Sequence, residues 1–152
     1  MNEYFKNLPR KWMGAGALLF NEEGKFLIVK PGYKEYWEIP GGNIDENESP
    51  LHAVKREVSE ELGLENITFA LLCIDYHGNS DDRGDRLQFV FDGGELSAEH
   101  VSRIQLLDEE LTEYKFVALK EALLLLGERL HDRIRLALQA RADNKVMYLE
   151  QA

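Results

Sequence analysis

Apolar and polar positions alternate between two repeat patterns along this chain. Trp12 to Phe20 is small and apolar, including Gly14-Ala15-Gly16-Ala17. It reads as a strand buried on both faces. Asn21-Glu22-Glu23-Gly24 is a turn, and Phe26 to Lys30 returns as the second strand of a hairpin. Pro31-Gly32 breaks it, and Pro40-Gly41-Gly42 reads as a tight turn. From Pro50 the pattern becomes helical: Leu51, Val54, Val58 and Leu62 form one apolar stripe. Ser49 is placed to cap that helix, Pro50 suits its first position, and Gly63 suits the left-handed residue beyond its end.

Ile67 to Tyr76 and Leu87 to Phe91 read as two strands of a second hairpin, joined by a polar loop over 77–85 and closed by Gly93-Gly94. Residues 96 to 113 are acidic and mixed. Tyr114 to Leu119 alternates as a strand. From Lys120 to Ala142, Leu123, Leu126, Leu130, Ile134 and Leu138 recur at helical spacing, and Gly127 is placed to split the run in two. Val146 to Leu149 adds a short edge strand. Strands interleaved with helices give an α/β arrangement in one domain over 1–152.

Glu57, Glu60 and Glu61 share an arc roughly 100° wide beside the apolar stripe. Such carboxylates repel one another, and they lie at the negative end of the helix dipole. Arg56, four residues before Glu60, offsets part of that cost. A glutamate-rich surface helix is ordinarily just solvated, but this spacing also suits a hard divalent cation, which takes oxygen ligands and is shared with substrate phosphates.

The run from Gly42 to Leu64 resembles the Nudix box: Gly, five residues, Glu, seven residues, Arg-Glu, an aliphatic residue, any residue, Glu-Glu, any residue, Gly, an aliphatic residue. Gly42, Glu48, Arg56, Glu57, Val58, Glu60, Glu61, Gly63 and Leu64 fill every fixed position. Seven are single-residue requirements, so a chance match is roughly 10⁻⁹ per window at background usage of about 6% each. Trp37-Glu38-Ile39-Pro40-Gly41-Gly42 looks like the family's usual lead-in. The resemblance implies the Nudix fold, an α/β/α sandwich around a mixed sheet. It implies Mg²⁺, or Mn²⁺, held by Glu57, Glu60 and Glu61 with the Gly42 carbonyl beside them. Arg56 then orients the glutamates, and Glu48 is structural. The general base comes from the box or from a downstream carboxylate: among Asp108, Glu109, Glu110 and Glu113, the choice falls on Glu110.

The implied activity is hydrolysis of a phosphoanhydride in a nucleoside diphosphate linked to another group, with a (deoxy)nucleoside triphosphate as the default substrate. Tyr33, Tyr36 and Tyr76 are candidates to stack on a base, and Lys30, Lys34 and Arg86 to meet phosphates, though each residue type more often packs. Alternatives are an RNA 5′-end pyrophosphohydrolase and a non-catalytic nucleotide sensor; intact box glutamates argue against the sensor. The family also admits a homodimer.

Net charge is −10, from 28 acidic and 18 basic residues. This disfavours unspecific binding to nucleic acid or anionic membranes. Cys73 is the only cysteine, set among apolar neighbours as buried filler. Without a signal peptide or apolar span, the expected location is cytoplasmic.

Overall fold

The run Trp12–Phe20 (β1) is central to the sheet, and its small residues let neighbours approach on every side. The computed structural model describes all 152 residues. In chain order, α1 (Glu3–Lys6) precedes β1; then come β2 (Phe26–Pro31), β3 (Gly41–Asn43), α2 (Pro50–Leu62), β4 (Ala70–His77) and β5 (Arg86–Glu95). These are followed by α3 (Ala98–Ser102), β6 (Leu111–Val117), α4 (Leu119–Leu125), a 3₁₀ turn (Glu128–Leu130), α5 (His131–Asp143) and β7 (Met147–Gln151). One mixed sheet runs β6-β2-β1-β5-β4-β7, with β3 also paired to β1. β1 pairs parallel with β5, and β4 parallel with β7. The remaining pairs are antiparallel.

Strand alternation divides the core in two. Ala15, Ala17, Leu19, Leu27 and Val29 face Ala53, Val54, Val58 and Leu62 of α2. Leu18, Phe20, Phe26 and Ile28 face Ala122 of α4 and Ile134, Ala137 and Ala140 of α5. Helices therefore cover both faces, as the resemblance implied. Ser49 Oγ accepts the His52 N–H at 3.1 Å, and Gly63 ends α2 at φ 70°, ψ 20°. Gly127 breaks the last helical run into α4 and α5.

Several expectations need correction. β4 starts at Ala70 and not at Ile67, and β6 runs Leu111–Val117, with Leu119 opening α4. Leu51 is 40% exposed, and Ala53 takes its place on the buried stripe. Pro40-Gly41-Gly42 is more than a turn, because Gly41–Asn43 pairs with β1 as β3. β5 does not stop at Gly93-Gly94 but continues to Glu95, which pairs with Phe20. α3 lies within the acidic run, capped by Ser97. Cys73 is fully buried among apolar groups, and burial pushes its thiol up to about 12. No helix is long and apolar enough to cross a membrane.

Candidate active site

The last turn of α2 carries its glutamates against the back of β3. Glu61 is 5% exposed, and its Oε1 accepts the Gly41 N–H at 2.7 Å. Gly41 has φ +149°, and a Cβ there would lie 2.2 Å from the Ala15 carbonyl oxygen, so the chain needs glycine at this point. A Cβ on Gly42 would lie 2.6 Å from Glu57 Oε1. Two successive glycines thus let strand backbone touch both carboxylates.

Burial pushes the Glu61 carboxyl up to about 8, helped by the charges of Glu57, Asp108 and Glu38 and opposed by the Gly41 N–H. Burial also raises Glu57, against the lowering effect of Arg56. Arg56 is the organising cation. Its Nε and Nη2 reach the two carboxylate oxygens of Glu48 at 2.8 and 2.9 Å. Its Nη1 reaches Glu57 at 3.0 Å and Glu60 at 3.2 Å, and Nη2 also donates to the Asn43 carbonyl at 3.2 Å. The Arg56 hydrogen bonds hold the Glu48 carboxyl well below the usual range. Glu48 also accepts the Asp45 N–H, so it pins the loop that leads into α2.

The donor set suits a hard divalent cation: carboxylate oxygens only, crowded enough that two are pushed toward protonation. A cation between Glu57 and Glu61 relieves both. No trio of acidic, histidine or cysteine side chains has converged on one point. The reason is visible at Glu60, whose side chain is 57% exposed and turned to Arg56. Glu57 and Glu61 form the core of the site, and Glu60 stands at its rim.

The segment 104–108 is hydrogen-bonded to the end of α2: Gln105 N–H donates to Leu62 and Leu107 N–H to Glu61, at 3.0 and 3.1 Å. This brings Asp108 near enough for its charge to act on Glu61. Glu110 is exposed, and its backbone carbonyl accepts from Gly32 at 2.7 Å. Among the downstream carboxylates, Asp108 stands among the charges that chiefly act on Glu61. Glu38, in the lead-in motif but given no role from sequence, also acts on Glu61.

A cleft of about 660 Å³ opens on the edge formed by Gly41, Gly42 and Asn43. Tyr36 and Arg86 line it, as do both tryptophans, Trp12 and Trp37. Tyr33 is 68% exposed and lies outside the lining. Tyr76 is outside it too: its hydroxyl donates to Asp85 at 2.8 Å, a structural tie.

A model of the NUDIX domain matches residues 10–138. This chain belongs to the Nudix family. Among curated Nudix relatives, it is 46% identical over 50 residues to an RNA pyrophosphohydrolase of Hydrogenovibrio crunogenus, covering 33% of this chain and 30% of that one. It is 42% identical over 60 residues to an 8-oxo-dGTP diphosphatase of Buchnera aphidicola, covering 36% and 46%. The matches therefore span less than half the length of these relatives. Among solved Nudix structures, the MutT protein of Methanosarcina mazei Go1 has TM-score 0.70 and 26% identity, over 91% of this chain and 99% of that one. The NUDIX domain of Shewanella oneidensis NrtR, complexed with ADP ribose, has TM-score 0.70 at 23% identity, over 95% and 100%; that likeness concerns the fold.

Proposed function

We propose that this Nudix protein hydrolyses a phosphoanhydride bond in a small nucleotide, with Mg²⁺ or Mn²⁺ as cofactor. The observation that carries this reading is the pair Glu57 and Glu61, which do not themselves line the nucleotide-sized cleft but contact Gly41 and Gly42, which do. Both curated relatives carry names of phosphoanhydride-cleaving enzymes.

Glu57 and Glu61, with Glu60 at the rim, are the residues to hold the cation. When bound, it supplies charge neutralisation for the phosphate oxygens and a polarised water. Arg56 keeps the glutamates oriented and Glu48 keeps Arg56 in place. Asp108, whose charge acts on Glu61, is the carboxylate assigned to accept a proton from the attacking water. The aromatic rings of Trp12, Tyr36 and Trp37 offer flat apolar surface for a base.

The test is a panel of nucleoside triphosphates, dinucleoside polyphosphates and nucleoside-diphosphate sugars, incubated with Mg²⁺, Mn²⁺ or EDTA and resolved by chromatography. The expected result is metal-dependent cleavage of at least one class, releasing a nucleotide. A panel left intact in both metals contradicts the reading.

A further inference from the structure

Five of the seven charged residues that line the cleft are cationic, in a chain whose net charge is −10. Four of them are arginines, brought together from two distant segments: Arg83 and Arg86 before and at the start of β5, Arg129 and Arg133 around the start of α5. Two are anchored. Arg86 is 1% exposed, spends both terminal nitrogens on Asp81 at 3.0 and 2.8 Å, and lies 5.1 Å from the Trp12 ring. Arg133 is held through Nε by the fully buried Asp75 at 2.6 Å, which leaves its two terminal nitrogens unused. Arg83 has only a loose approach to Asp81, at 3.7 Å. Arg129 has no ion-pair partner, and burial together with the charges of Arg83, Arg86 and Arg133 lowers its pKa against the opposing charge of Asp81. Three guanidinium groups thus have donors to spare on one wall, and they repel one another until an anion arrives.

This wall is not the Gly41-Gly42 end of the cleft, behind which Glu57 and Glu61 lie. β3 pairs Gly42 with Ala15, while β5 pairs Arg86 with Trp12. Two strand spacings across and three residues along put the Gly42 and Arg86 backbones about 14 Å apart. That separation is longer than a diphosphate, so the two ends of the cleft meet different phosphoryl groups of one ligand and not neighbours in one phosphate chain. Several forked donors around one point match a tetrahedral dianion better than a carboxylate, which a single fork satisfies.

We propose that Arg83, Arg129 and Arg133 form a second anion site that takes a phosphoryl group carried on the ribose of the nucleotide, distinct from the phosphoanhydride at the glutamates. This rests on the hydrolase reading for its orientation but not for its test. A ribose phosphoryl occurs either as a terminal monoester or as a diester leading to the next nucleotide.

The experiment is direct binding in EDTA, without turnover, followed by intrinsic fluorescence, since both tryptophans line the cleft. The probes are adenosine and guanosine 5′-monophosphates, their 3′,5′- and 2′,5′-bisphosphates, and the 5′-phosphorylated dinucleotides pApA and pGpG. The expected result is binding at least ~10-fold tighter for a bisphosphate or a dinucleotide than for the matching monophosphate. Arg129→Ala and Arg83→Ala each bring that ratio below ~3. A bisphosphate preference identifies the monoester and a dinucleotide preference the diester. Equal binding of all probes, or a ratio unchanged in both variants, overturns the proposal. That failure is distinct from failure of the hydrolase reading, which is measured separately by cleavage in metal.

Discussion

Glu61 Oε1 accepts the backbone N–H of Gly41 at 2.7 Å, so the most buried acid of the box is tied to the strand that edges the cleft. Its carboxyl lies at about 8 against an ordinary 4.5. Between these values the folded chain holds a proton that the unfolded chain has released. This group's stabilising effect is therefore complete below about pH 4.5 and is lost as pH rises through 8. Glu48 and Asp81 are shifted downward, so their effect is already complete above pH 4.5 and adds no slope here. Metal-free protein is expected to lose several degrees of Tm between pH 5.5 and 8.5 in thermal melts. Glu61→Gln, which keeps an acceptor for Gly41, reduces that slope to the part left by Glu57, which burial also raises. An identical slope in the variant counts against the assignment.

Arg56 joins four carboxylates of the loop and helix. Arg56→Gln leaves Glu48, whose side chain is 7% exposed, without its cation. Tm is expected to fall by several degrees at pH 7. Glu48→Gln in the Arg56→Gln background is expected to cost much less than alone, because both changes break one interaction. Additive losses would show that the pair is not coupled.

Gly42→Ala places a methyl group 2.6 Å from Glu57 Oε1. The carboxylate must move, and outer contacts of metal ligands are worth roughly 10–100-fold in affinity or activity. The expected outcome is a loss of that size in metal-dependent turnover with the far-ultraviolet circular dichroism unchanged. Full activity would show that Glu57 tolerates displacement.

Asp108 and Glu110 are separated by one residue but differ in placement, since Asp108 is among the charges that chiefly act on Glu61 and Glu110 is exposed. A general base contributes about 10²–10⁴-fold, so Asp108→Asn is expected to lower kcat within that range. Glu110→Gln is expected to change kcat less than ~3-fold, well under the share of a base. The reverse ranking in steady-state assays restores Glu110.

The sequence was most legible where structure is local. The Ser49 cap, the Pro50 start, the Gly63 terminus and the spacing of Glu57, Glu60 and Glu61 are all set within one helix. What escaped depends on distant pairing. β3 is three residues long and exists only because β1 is small enough to accept it. Asp108 gains its place through two hydrogen bonds from 104–108 to the end of α2, which no periodicity displays. The arginines converge only after β5 pairs with β1 and α5 packs on the sheet. Tyr76 carries no local sign that Asp85 will take its hydroxyl.

Buried Glu61 and half-buried Glu57 at the end of α2 are proposed to hold a divalent ion. The most direct measurement is a Mn²⁺ titration read by electron paramagnetic resonance of the free ion, comparing wild type with the Glu57→Gln/Glu61→Gln double variant. The expected result is saturable binding by wild type, stronger at pH 8 than at pH 6 because Glu61 must release a proton, and affinity at least ~10²-fold weaker in the variant. Equal Mn²⁺ affinity in the two proteins would contradict the account.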